Sequence, residues 1–229
     1  MKSSSDGSLL DRAFLVMMNP NSGEILSMVG KRVEYDAGGK MYLADYSYGT
    51  FTTAYEIGST VKGATLLTGY REGAVTIGAT QIDEPIVLGE NLVKSSIFNR
   101  SGRIRMDDLM ALEQSSNVYM FKIAMTMGGL SYYPYIGIAS LLRDDTLQRL
   151  RNGYAQVGLG VPTGIDLPGE TAGVIGVPDS PGKVLDITIG QFDTYTPLQL
   201  VQYVSTIANG GYRVQPRLLK EIRKPSKDG

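Results

Sequence analysis

The chain has 229 residues, 42% hydrophobic and 20% charged, a globular composition long enough to bury a sizeable core. Its formal net charge of −1 gives no electrostatic reason for a nucleic-acid or anionic-membrane partner, and no apolar run approaches the ~20 residues of a bilayer span. With no histidine and no cysteine, it excludes a Ser–His–Asp triad, a His- or thiolate-ligated metal site, a thiol nucleophile and a disulfide.

Residues 1–12 read as a leader or linker, without the apolar stretch of a signal peptide. "AFLVMM" and "EILSMVG" flank "NPNSG" and predict an antiparallel hairpin. Residues 30–50, rich in Gly and Tyr and without helical periodicity, read as a surface loop. Most rings of its tyrosine cluster (Tyr35, Tyr42, Tyr46, Tyr48, with Tyr55) are expected to cover the core edge. "TVKGATLLTGY" predicts a buried helix from Thr60 to about Tyr70, despite its β-branched residues and Gly63. "DDLMALEQ", with two acids in a first turn, "NVYMFKIAMTMGG" and "DDTLQRLRNGYAQVGLG" predict three more helices. "TGIDLPGETAGVIGVPDSPGK" reads as a connection packed onto the domain rather than a linker, and no domain boundary stands out. "TPLQLVQYVSTIANGG" carries the clearest helix signals: Thr196 and Gln199 as a capping box, Pro197 in the first turn, and a closing Gly pair. "YRVQPRLLKEI" then predicts a strand, with Pro216 at an edge or bulge.

A catalytic serine here needs Lys, Asp, Glu or Tyr as its base. Two Ser-x-x-Lys strings occur, Ser59–Lys62 and Ser180–Lys183. In the second, Pro181 and Gly182 are read as helix breakers that hold nothing on one face. In the first, Thr-Val permits a helix, an i,i+3 pair shares a face, and Ser59 stands where unpaired N–H groups favour negative charge. Lys62 acts as a base near pH 7 only if its proton affinity falls by about 3 units from ~10.4. The competing reading is a capping Ser59 and a solvated Lys62. Ser115-Ser116-Asn117 stands at the junction of two predicted helices. A second hydroxyl beside Lys62 can relay a proton, and an Asn amide can bind a carbonyl; the competing reading is an N-cap, and the two are compatible.

With both motifs in view, the chain resembles the transpeptidase domain of a class B penicillin-binding protein of the monofunctional Gram-positive type. "YEIGSTVKGATLLTGY" is similar to the family's nucleophile segment and "SSN" to its second motif. "TGIDLPGE", "IGQFDTYTPLQL" and "IANGGYRVQPRLL" follow in the family's order, from about Ala13 to Leu219.

The resemblance implies an α+β fold of the penicillin-binding/serine β-lactamase-like kind, a helical part against an antiparallel sheet. It implies a peptidoglycan DD-transpeptidase: Ser59 as nucleophile, Lys62 as its base, Ser115 as proton relay and Asn117 as substrate-binding residue, with no cofactor or metal. It further implies D-Ala-D-Ala stem peptides as substrate, β-lactams trapped on Ser59, cell-wall synthesis proteins as partners and placement on the extracytoplasmic face of the membrane. The family's Lys-Thr-Gly third motif does not occur in these 229 residues. Residues 13–229 are therefore expected to be the N-terminal portion of a domain, inactive alone, and either truncated or completed by a separate C-terminal piece. Its hairpin is expected to keep a bare edge and an uncovered apolar face. A non-catalytic scaffolding module, or a β-lactam sensor or class D β-lactamase-like domain, is the alternative. The latter group typically carries an aliphatic residue where Asn117 stands.

Overall fold

The computed structural model describes residues 10–89, 92–142 and 145–224. Of the leader expected over 1–12, residues 1–9 lie outside the described residues.

The chain forms two compact units, each assembled from separated stretches. The first takes the described residues up to Ala54, Val157–Gly173 and the described residues from Tyr195 on; the second takes those of Tyr55–Gln156 and Val174–Thr194. A boundary crossed four times leaves no single linker, which is why none stood out in the sequence.

In the first unit, strands β1 (Arg12–Met18), β2 (Ile25–Tyr35) and β3 (Met41–Asp45) form an antiparallel sheet in that order. The predicted hairpin is present: Asn19 turns the chain by accepting the N–H groups of Asn21 and Ser22. The loop expected over residues 30–50 is corrected. β2 runs on to Tyr35, Asp36 closes a turn onto the N–H groups of Gly38 and Lys40, and β3 pairs back before a short helix α1 (Gly49–Thr52). Glu34, opposite Tyr42 in the register, accepts its hydroxyl, a cross-strand pair that helical periodicity does not reveal. The tyrosines are corrected too: Tyr46 is buried, whereas Tyr35, Tyr42 and Tyr48 are exposed.

Helix α7 (Pro197–Ala208) lies against β1. Its capping box is formed in both directions, Thr196 with the Gln199 N–H and Gln199 with the Thr196 N–H. Leu198 and Val201 pack with Phe51, Ile165, Val16 and Met28 as this unit's core. The strand expected in "YRVQPRLLKEI" is corrected to a single parallel bridge between Glu24 and Arg217. The following N–H groups, Leu218 and Leu219, donate to the Asp166 carboxylate at 2.7 Å each, so no ladder continues.

The second unit is mainly helical. It comprises α2 (Lys62–Arg71), α3 (Asp108–Glu113), α4 (Asn117–Met127), α5 (Thr146–Gln156) and α6 (Pro181–Ile187). Two small antiparallel pairs accompany them: β4 (Gln81–Asp83) with β7 (Ile104–Met106), and β5 (Ile86–Gly89) with β6 (Leu92–Lys94). Eight of the eleven residues of α4 are buried, and Val118, Phe121, Ile123 and Met125 centre a core shared with Leu66 of α2, Leu150 of α5 and Leu185 of α6. Met106, Met120, Met125 and Met127 fill space in this core. Pro181 corrects another expectation. Rather than breaking a helix it opens α6, with Ser180 at the N-cap, because proline's fixed φ suits a first turn.

Candidate active site

The nucleophile segment is built around two glycines. Gly58, at φ +55, starts a 3-10 turn, Gly58–Val61, that runs directly into α2, with the Lys62 N–H donating to the Ser59 carbonyl. With three residues per turn, the side chains at 59 and 62 stand in line. The Gly58 N–H donates to the Gly190 carbonyl at 3.0 Å, and Gly190 is itself at φ +77. A Cβ on Gly190 would lie 2.0 Å from the Gly58 carbonyl oxygen, so only glycine admits this approach. Thr65 of α2 bonds the Thr188 carbonyl at 2.8 Å and the Tyr154 hydroxyl at 2.6 Å, tying α2 to α5 and to the end of α6. Arg151 of α5 clamps Asp193 through two bonds of 2.8 Å, which fixes the Gly190 loop from its other side.

Lys62 is 2% exposed. Its Nζ donates to the Ser115 carbonyl at 2.6 Å, the Ser115 Oγ at 2.9 Å and the Asn117 Oδ1 at 2.7 Å. Three acceptors for three protons satisfy the ammonium in full. Burial nonetheless pushes Lys62 down to about 8, with the Asp83 carboxylate pulling weakly the other way. The solvated Lys62 of the competing reading is therefore ruled out by burial. Ser59 is exposed, and no bond from its Oγ to Lys62 is present among the described residues.

Ser115 connects α3 to α4 in the left-handed region, at φ +56. Strain of that sort persists where the surroundings over-determine it. Here the Ser115 and Ser116 N–H groups are held by the Leu112 and Ala111 carbonyls, and Ser116 caps α4 by accepting the Tyr119 N–H at 3.0 Å. The Ser115 carbonyl and hydroxyl thereby both turn toward Lys62, while Asn117 keeps its Nδ2 on the Ser95 carbonyl at 3.2 Å. Ser116 is the residue that caps, and Ser115 the one that faces the lysine.

The second Ser-x-x-Lys pair is engaged locally. Lys183 bonds the exposed Asp179, four residues back on the same chain segment.

Residues that sequence reasoning missed surround the constellation. Asp83, 1% exposed, accepts the hydroxyls of Ser96 and Ser116 on Oδ2 and the Asn99 amide on Oδ1. Ser96 in turn accepts the Asn117 N–H at 2.9 Å. These residues belong to short strands and a loop without periodicity, and the sole signal was an acid inside an apolar stretch, "QIDEPIVL".

A family model described as the penicillin binding protein transpeptidase domain matches residues 13–229. The chain is 51% identical over 220 residues to Penicillin-binding protein H of Bacillus subtilis (strain 168), covering 96% of this chain and 30% of that protein. It is 46% identical over 215 residues to Penicillin-binding protein 2A of the same organism, covering 94% and 29%. The solved structure of Penicillin-binding protein 2B from Streptococcus pneumoniae (strain R6) is similar with a TM-score of 0.87 and 36% identity, over 96% of this chain and 35% of that one. This chain thus spans about a third of the length of these relatives. The chain belongs to the penicillin-binding protein transpeptidase domain family, class B, with the α+β fold of its relatives.

Proposed function

We propose that the protein of which this chain forms part cross-links peptidoglycan by acyl transfer, through an acyl-enzyme on Ser59. The observation that carries the reading is a buried lysine of lowered proton affinity, held by Ser115 and Asn117 one turn from an exposed serine.

In this reading neutral Lys62 takes the Ser59 proton as Oγ attacks the penultimate D-Ala carbonyl of a D-Ala-D-Ala stem. The new ester C–O bond forms as the peptide C–N bond breaks. The proton then passes from Lys62 to the Ser115 Oγ, already 2.9 Å away, whose own proton goes to the departing D-Ala amine. Asn117 spends Oδ1 on Lys62 and one Nδ2 proton on Ser95, which leaves its second Nδ2 proton for the substrate carbonyl. The Ser59 N–H, at the head of the turn, serves as one oxyanion donor. An amine of a second stem then takes the acyl group and frees Ser59. A β-lactam stops at the acyl stage.

The reading places the site on the extracytoplasmic face of the membrane, among cell-wall synthesis proteins. Among the described residues no helix is long and apolar enough to cross a membrane. Intact-mass spectrometry after incubation with penicillin tests the reading: a penicilloyl adduct is expected, lost in Ser59→Ala. Labelling that survives in Ser59→Ala would overturn it.

A further inference from the structure

Asp83 sits on β4, far in sequence from both motifs, and its partners form one directed chain. Two hydroxyls, Ser96 and Ser116, place their protons on the same carboxylate oxygen. A hydroxyl has one proton, so both must turn their lone pairs the other way. There they meet the first N–H groups of α4: Ser96 accepts Asn117 at 2.9 Å and Val118 at 3.3 Å, and Ser116 accepts Tyr119 at 3.0 Å. The remaining carboxylate oxygen is fixed by Asn99, whose Nδ2 bonds both Asp83 Oδ1 and the Asp83 carbonyl at 2.9 Å. All of this is buried: Ser96 and Ser116 are 0% exposed and Asn99 5%.

A helix start needs one capping side chain, and Ser116 is already one. The second hydroxyl and the buried acid exceed what capping requires. A buried carboxylate also costs free energy unless its neighbours satisfy it. What the arrangement adds is a fixed direction for residues 115–117, the segment whose carbonyl, hydroxyl and amide oxygen hold the Lys62 amine.

We propose that Asp83 is the positioning residue of this site, orienting Ser96 and Ser116 so that the first turn of α4 presents Asn117 and Ser115 to Lys62. Its negative charge also stabilises the Lys62 ammonium against burial. The charged groups around the network are Lys62 from α2, Asp83 from β4 and Lys122 from α4; Lys122 also faces Glu84, which Arg103 bridges at 2.8 Å. The catalytic consequence rests on the acyl-transfer reading; the hold on Lys62 does not.

The test uses the whole 229-residue chain with carbon-13-labelled lysine, following the Lys62 Cε signal by NMR against pH, assigned with Lys62→Arg. Acylation by penicillin is followed in parallel by intact mass. Asp83→Asn keeps the shape and removes the charge, and should weaken the proton affinity of Lys62 by about threefold or more. Its acylation profile should move to lower pH while the plateau rate falls about tenfold. Ser96→Ala should lower the plateau about tenfold and leave the Lys62 midpoint in place, since the charge remains. A folded Asp83→Asn with an unmoved Lys62 midpoint overturns the proposal. So does a folded Ser96→Ala that acylates at the wild-type rate, which decides the matter if Asp83→Asn does not fold. An unacylated wild-type chain is the outcome expected of a domain portion that is inactive alone, and the NMR titration then judges Asp83.

Discussion

Lys62 carries a full charge into a site with almost no water contact, held by two side-chain oxygens and one carbonyl. Burial makes its folded-state proton affinity lower than that of an unfolded lysine, falling to about 8 from 10.5. Between those two values the unfolded chain binds the extra proton and the folded chain does not, so stability should rise with pH across that window. Below about pH 8 the buried ammonium costs stability on the order of 3 kcal/mol. Lys62→Met should remove this pH dependence while abolishing acylation, as read by urea denaturation at pH 7 and at pH 10. An identical slope in the two proteins would show that Lys62 is not the group responsible. The catalytic candidates were legible because residue type narrows them severely: without His or Cys, a serine with a lysine one turn away is a short list. Asp83 was not legible, because its role consists of contacts with residues 13, 16 and 33 positions distant.

Short elements carry the site, and their signals were uneven. Caps read well, since they are local: the Thr196–Gln199 box formed as expected, and Asp107 caps α3 by accepting the Met110 N–H at 2.8 Å. Proline read badly at 181 because its effect depends on position, obstructing a helix interior and favouring a first turn. The three-residue strands β4 and β7 have too few residues for alternation to show, and only their pairing defines them. Gly190 is the sharpest case. It belongs to "IGQFDTYTPLQL", a string that entered the sequence reading only through its place in the family's order, yet it holds the backbone of the Ser59 turn. Gly190→Ala should cost about 1–3 kcal/mol or more through a disallowed φ and a backbone clash, and should slow acylation far more than an equally destabilising core truncation. Thermal melting together with penicillin labelling separates the two effects.

Across the whole molecule, the three-stranded sheet buries one face and leaves the other bare. Phe51 and Leu198 cover the side of Val16 and Met28. On the opposite side Leu15 is 53% exposed and Leu43 54%, with Met17, Val29 and Met41 also exposed. Leu15 stands opposite Val29, and Leu43 opposite Val33, two apolar pairs on this face with the Lys31–Asp45 ion pair between them. A patch of this kind binds hydrophobic dyes and promotes association. Leu15→Glu combined with Leu43→Lys should reduce anilinonaphthalene sulfonate fluorescence without lowering the melting temperature. A large loss of stability instead would mean that this face is packed in solution.

Local grammar settled much of this protein in the sequence itself. Residue types excluded whole classes of chemistry, caps and turns marked the longer helices and the hairpin, and the order of motifs placed Ser59, Lys62, Ser115 and Asn117 in one family pattern. Tertiary structure alone decided which hydroxyl caps and which faces the lysine, that Lys62 is buried, and that Asp83 and Gly190 hold the site. The physical reason is range: propensity and spacing act within a few residues, whereas burial and hydrogen-bond direction here are set by contacts between distant positions, 132 apart in the Gly58–Gly190 pair.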